Sequence, residues 1–178
     1  MATIWTIDPT HSEVGFRVKH LMISTVKGQF RRFSATATTE GDVWENAQLQ
    51  FEAEVDSIET GVDQRDGHLK SDDFFNAAEF PHLKFVSTDF RAKSSDTFEL
   101  TGDLTIRDVT LPVTLKATYG GTMTDFYGQT KAGFEITGSI SRKAFNLKWD
   151  AVTEVGGVVV SDEVKLVLDV QMTQQAAS

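Results

Sequence analysis

The chain has 178 residues, a formal net charge of −9, 40% hydrophobic and 24% charged residues, and no cysteine. That length suits one domain, residues 1–178, with a core that needs no staples, and the missing cysteines exclude disulfides, thiolate catalysis and Cys-based metal sites. No run of basic residues marks a nucleic-acid binder, and no stretch approaches the ~20 apolar residues of a membrane helix.

In chain order, Thr3–Asp8 reads as a first strand with Trp5 and Ile7 on one face, and Asp8-Pro9-Thr10 as a turn. Val14, Phe16 and Val18 then face inward, with Glu13, Arg17 and Lys19 outward, and residues 20–24 form a corner. Val26, Gly28 and Phe30 begin a third strand whose apolar phase shifts to Phe33, Ala35 and Ala37, which predicts a bulge near Arg31 and Arg32. Glu40-Gly41-Asp42 is a turn into a strand with Leu49, Phe51, Ala53 and Val55 inward. Residues 60–76 have no two-residue period; a short helix is expected over Asp66–Phe75, with Leu69 and Phe74 or Phe75 turned to the core, stopping before Pro81. Leu83 and Phe85 mark a weakly patterned strand. Phe98, Leu100, Gly102, Leu104 and Ile106 alternate with polar residues, as do Leu111, Val113, Leu115, Ala117 and Tyr119, with a hairpin across Arg107–Thr110 between them. Gly120-Gly121 to Gly128 reads as a loop. Ala132, Phe134, Ile136, Gly138 and Ile140 follow, then Ser141-Arg142-Lys143, Phe145–Trp149, a Gly156-Gly157 loop, a last strand with Val164, Leu166, Leu168, Val170 and Met172, and a tail from Gln174 to Ser178.

Strands with one oily and one wet face must bury the oily faces together, so the pattern predicts an all-β, antiparallel barrel of about eight strands with a short helical insertion. Whether the inside is full or hollow decides what it does. The chain has 13 Phe against 2 Tyr and 3 Trp, which favours wholly apolar surroundings. Gly28, Gly102 and Gly138 fall on inward faces, either letting strands bend or clearing volume for a ligand. An eight-stranded barrel either fills itself or holds one small ligand, and an apolar tube along a ~33 Å strand would take an extended hydrocarbon chain at ~0.8 kcal/mol per buried methylene. An outer-membrane barrel fits poorly, because the polar face carries Glu52, Glu54, Asp103, Lys116, Glu135 and Lys165 and no aromatic girdle.

His11, His20, His68 and His82 lack metal-ligand spacing. Asp8, His11 and Ser12 invite a triad, but neighbours in sequence rarely align as one; capping of backbone groups by Asp8 and Ser12 is the more economical reading. Arg65-Asp66-Gly67-His68 reads as a charged loop before a helix or as a polar cluster at the barrel mouth. Arg142 is a second cation that could meet a phosphate or carbonyl head. The glycine pairs lack phosphate-loop spacing.

Trp5-Thr6-Ile7-Asp8, His11-Ser12, Phe16, Lys19-His20, Val26, Gly28 and Phe30 together resemble the opening of YceI-like proteins, a polyisoprenoid-binding family. Arg65–Leu69 with Phe74-Phe75 and Phe80-Pro81, Gly102–Arg107 with Val109-Thr110 and Pro112-Val113, and Ser141-Arg142 with Phe145 and Trp149 extend the resemblance along the chain. The resemblance implies a lipocalin-like barrel, often dimeric, that binds isoprenoid quinones, polyprenyl chains or other amphiphilic lipids, with no catalytic residues to carry over. Many members are exported; Met1 followed by no basic and apolar leader suggests a cytoplasmic protein here. The expected function is non-catalytic binding, storage or transport of such a lipid, with Val14, Phe16, Val18, Phe30, Phe51, Phe85, Phe98, Leu100, Leu104, Leu115, Phe134, Ile136 and Leu166 lining a pore and Arg65, His68 and Arg142 holding the polar head. No metal and no cofactor beyond the bound lipid are expected, nor insertion into a membrane. The rivals are an enzyme acting on an isoprenoid or acyl substrate with His11 or His68 as base, and a packed barrel that only mediates protein contacts.

Overall fold

A computed structural model describes residues 2–21, 23–147 and 160–175. Among the described residues eleven strands form one antiparallel sheet: β1 (Ala2–Ile7), β2 (Glu13–His20), β3 (Ser24–Phe30), β4 (Phe33–Glu40), β5 (Val43–Glu54), β6 (Ile58–Glu59), β7 (His82–Ala92), β8 (Thr97–Ile106), β9 (Val109–Thr124), β10 (Thr130–Ser141) and β11 (Val160–Gln174). A helix α1 (Asp63–Leu69) lies between β6 and β7. The order β1-β4-β5-β7-β8-β9-β10-β11 closes on itself through β1–β11 pairing, giving an eight-stranded barrel.

The three remaining strands are continuations. A single helical turn, Pro9–His11, breaks the first long strand into β1 and β2, and both halves pair with β11. Arg31 and Arg32 break the second into β3 and β4, at the phase change read from the sequence. A bend lets each half keep its apolar side inward although the alternation slips by one residue. Beyond the second break β3 pairs with β6 at Gln29 and Phe30 only. From Ser24 to Gly28 its outer edge has no strand partner among the described residues, so the wall is open there, and α1 stands across the gap.

Two local expectations are corrected. The helix starts at Asp63, three residues before the expected Asp66, because the Asp66 carboxylate folds back to accept from the Thr60 amide at 2.9 Å and the Thr60 hydroxyl at 2.5 Å. It stops at Leu69, where the Phe75 amide turns back to the Leu69 carbonyl. The other correction is at Gly120-Gly121, which is no loop. Gly133 lies opposite Gly121 and Phe134 opposite Tyr119, leaving Gly120 as an extra residue in a bulge, and β9 runs on to Thr124. Gly121 has φ +121°, which explains the glycine. The β8–β9 hairpin is as expected, with Arg107 at φ 55°. Its guanidinium donates to the carbonyls of Asp72 and Phe74, tying this hairpin to the chain after α1. Trp149, the Gly156-Gly157 loop and the end of the tail lie outside the described residues. The outer face carries the exposed side chains Lys84, Asp103, Lys116, Glu135 and Lys165. No described helix is long and apolar enough to cross a membrane.

Candidate functional site

The lumen is divided. At the end where β1 meets β11, aromatic rings fill it. Trp5 is fully buried, its indole N–H donates to Thr39 Oγ1 at 2.9 Å, and its ring lies 4.9 Å from Trp44. Trp44 meets Phe134 edge-on at 4.8 Å, and Phe90 stacks on Phe98 at 4.7 Å beside it. Tyr119 closes the cluster 5.3 Å from Phe134. Edge-to-face and offset pairs at these distances are favourable beyond their buried area.

The other half is hollow. A cavity of about 160 Å³ is bounded by Val14, Phe30, Phe51, Phe85, Leu104 and Leu166 among others. An apolar cavity near this size stays dry and takes a benzene-sized group. Its origin lies in the glycines. A methyl group at Gly28 would come within 2.2 Å of the Phe16 ring, one at Gly102 within 2.4 Å of the Phe85 ring, and one at Gly138 within 2.3 Å of a Leu115 methyl. Each large side chain lies flat over a glycine of a neighbouring strand, in the place where a Cβ would stand. The glycines therefore clear volume indirectly, by letting Phe16, Phe85 and Leu115 fold against the wall instead of projecting into the lumen.

Phe16, Val18, Leu69, Phe74 and Val160 form the boundary between this cavity and a second space of about 410 Å³ at the gap between β3 and α1. This mouth is polar on the helix side, where Gln64, Arg65 and His68 border it, and has Lys19 and His20 on the β2 side. The Arg65 guanidinium donates to the Thr60 hydroxyl at 2.7 Å and the Thr60 carbonyl at 2.8 Å, so Asp66 and Arg65 both grip Thr60 and fix the rim. His68 Nε2 lies 2.8 Å from Asp73 and its ring stands edge-on to Phe74.

Of the residues singled out from the sequence, Val14, Phe16, Val18, Phe30, Phe51, Phe85, Leu104, Leu115 and Leu166 border the cavity, and Arg65 and His68 the mouth. Phe98, Leu100, Phe134 and Ile136 are buried but do not border it: Phe98 and Phe134 belong to the aromatic fill, which ends the tube partway along the barrel. A pore running the full strand length is thus a correction, and Trp44, which closes it, was missed because it precedes the alternating stretch of its strand. Arg142 borders the cavity but is buried, donating to the carbonyls of Leu147, Ser161 and Val160 at 2.6, 2.9 and 3.0 Å. It clasps the end of β10 to the start of β11. Lys19 and His20 stand in the motif that carries the family resemblance but were not read as mouth residues, and Gln64 has no signal in the sequence beyond polarity.

The Asp8–His11 pair is on the outer surface. His11 Nδ1 lies 2.9 Å from the Asp8 carboxylate, which also accepts from the Thr10 amide and hydroxyl and from Lys131 Nζ at 3.2 Å. Hydrogen bonds from Thr10 and His11 first, then Lys131, hold the Asp8 carboxyl far below its ordinary value. Ser12 Oγ accepts from the Gln171 amide at 2.9 Å and is not bonded to His11. The cluster locks the bend between β1 and β2 onto β10 and β11. Among the described residues no group of three or more His, Asp or Glu could hold a metal ion.

The YceI-like domain model matches residues 5–172. Protein YceI of Escherichia coli O6:H1 is 38% identical over 165 residues, 93% of this chain and 83% of that protein. Among solved structures, Burkholderia cenocepacia BcnA superposes with a TM-score of 0.81 at 24% identity, covering 93% of this chain and 98% of that one. A polyisoprenoid binding domain from Saccharophagus degradans superposes with a TM-score of 0.65 at 16% identity, covering 97% and 98%. These two likenesses are of fold.

Proposed function

The chain belongs to the YceI-like family, and from that premise we propose that its barrel binds the hydrocarbon tail of an amphiphilic lipid of the polyisoprenoid class without chemical turnover. The observation that carries the reading is the apolar cavity of about 160 Å³, which shares Phe16 and Phe74 with a polar mouth beside it. The tail lies among Val14, Phe30, Phe51, Phe85, Leu104, Leu115 and Leu166. Arg65 and His68, with Lys19, His20 and Gln64, meet the head. Each buried methylene contributes ~0.8 kcal/mol, so a tail filling this space binds without a hydrogen bond. The name of the Saccharophagus degradans domain supports the polyisoprenoid class. A role as carrier or store follows from binding without turnover.

A cavity of this size holds a short run of tail, and a longer one extends into the mouth. The test is mass spectrometry of a solvent extract of the purified protein, with competition of prenyl lipids of graded length against a hydrophobic dye. Displacement that rises with tail length and then levels off is the expected result. A clean extract together with no displacement by any prenyl lipid overturns the reading.

The enzyme alternative keeps one observation, the His68–Asp73 pair at the mouth. It predicts lipid product that vanishes in His68→Ala; the binding reading predicts no product with either protein.

A further inference from the structure

The β2–β3 hairpin differs in charge from the rest of the chain. Residues 14–39 contain Arg17, Lys19, Lys27, Arg31 and Arg32 and not one Asp or Glu, in a protein of net charge −9. Arg31 and Arg32 are paired with Glu59 and with Glu54 and Asp56. Arg17, Lys19 and Lys27 are exposed and take part in no ion pair among the described residues. The register sets Lys165 of β11 opposite Arg17, and Arg17 opposite Lys27, so three cations stand in a row across three strands. Like charges directly opposite on an antiparallel pair destabilise it. The nearest carboxylates along the outer face of β11 are Glu163 and Asp169, and on β2 Glu13, two and four residues away from the row. No cluster of this kind shows in the linear sequence, because Lys165 arrives from a distant strand.

The tip of the same hairpin is apolar and exposed. Ile23 is 84% and Leu21 39% exposed, and Val62, on the opposite rim of the mouth, 47%. Arg17 lies four residues before Leu21, roughly 13 Å along the strand. A hairpin lying obliquely on a surface brings tip and basic row to it together. An apolar edge backed by unpaired cations is the pattern of interfacial membrane attachment.

We propose that this face docks on an anionic phospholipid bilayer, with Leu21 and Ile23 entering the interface, Lys19 and the Lys165–Arg17–Lys27 row facing the head groups, and the mouth opening toward the membrane. The inference rests on the lipid-binding reading of the cavity: a ligand with a water-insoluble tail is drawn from a bilayer or delivered to one. The acidic remainder of the surface is repelled by the same membrane, which orients the barrel mouth-down.

The experiment is co-sedimentation of the full chain with vesicles of phosphatidylcholine alone or containing phosphatidylglycerol, at low and high salt. The expected result is binding to the anionic vesicles that high salt abolishes. The combined variant R17Q/K27Q/K165Q lowers partitioning on the order of a hundredfold, and Ile23→Ser roughly tenfold; thermal unfolding of Ile23→Ser is unchanged, and that of the triple variant is no lower than the parent's because facing like charges are removed. Equal binding to both vesicle types, no binding to either, or undiminished binding by the triple variant overturns the proposal. Uptake of a prenyl probe from solution, without vesicles, is measured alongside. Uptake with no vesicle binding sinks the docking face alone, and vesicle binding with no uptake sinks the cavity reading alone.

Discussion

Where β1 meets β11, Trp5, Trp44, Phe90, Phe98 and Phe134 meet across the lumen; toward the mouth, Phe16 and Phe85 lie flat over Gly28 and Gly102 and leave it open. Both halves draw inward side chains from β5 and β7 to β10, and both are rich in phenylalanine. The difference is what stands opposite each ring. A ring facing another ring across the barrel fills space, and a ring facing a glycine on the next strand lines it. Apolar content therefore says little about whether a barrel is hollow; the cross-strand partner decides.

The largest effect expected from this contrast is on stability. Phe134→Ala removes the ring that touches Trp44, Phe90, Phe98 and Tyr119, and should cost about 3–5 kcal/mol. Phe51→Ala, whose side chain already borders empty space, should cost less, nearer ~2 kcal/mol, and should weaken prenyl binding where Phe134→Ala does not. Urea unfolding with dye competition measures both, and equal costs would erase the distinction between the halves.

Next come the glycines. Gly28→Ala should push the Phe16 ring off the wall and into the boundary between cavity and mouth, cutting lipid uptake with a stability loss of about 1 kcal/mol. Gly102→Ala meets the Val86 carbonyl at 2.6 Å as well as the Phe85 ring, and backbone cannot step aside, so it should lose more, toward ~3 kcal/mol. If Gly28→Ala binds prenyl lipid like the parent, the ring is no barrier. The smallest change is Gly67→Ala in α1, where nothing lies within 4 Å; it should stabilise by about 0.5–1 kcal/mol without touching uptake.

Acid should unlock the bend at the filled end before it touches the cavity wall. Asp8 has a folded-state pKa depressed from an ordinary 3.8. Its contribution is therefore complete above about 3.8 and is lost as pH falls from there toward the lowered folded value. The urea midpoint of the parent should drop over that range more steeply than that of Asp8→Asn. Parallel acid limbs would remove Asp8 from the account.

Much of the fold was legible because alternation is local. The inward sets Phe98–Ile106, Leu111–Tyr119 and Ala132–Ile140 each announce a strand and its buried face, and the phase slip at Arg31-Arg32 announced the bend. Trp44 escaped because its stretch departs from the alternation, with Asn46 at φ 66°. The start of α1 escaped because Asp66 is held by Thr60, a contact between side chain and backbone that no periodicity encodes. Of the head-group candidates, Arg65 and His68 border the mouth, while Arg142 is engaged with backbone carbonyls that come close only once β10 and β11 pair.

The sequence by itself determined most of the strands, their inward faces and the presence of a short helical insertion, since a two-residue period is a property of neighbouring residues along one chain. Tertiary structure alone decided that the barrel closes through β1 and β11, that aromatic rings block one end while glycines open the other, and that Lys165 joins Arg17 and Lys27. Each of these depends on which residues register places opposite one another, and that pairing is fixed by closure of the sheet across separations that local patterning does not span.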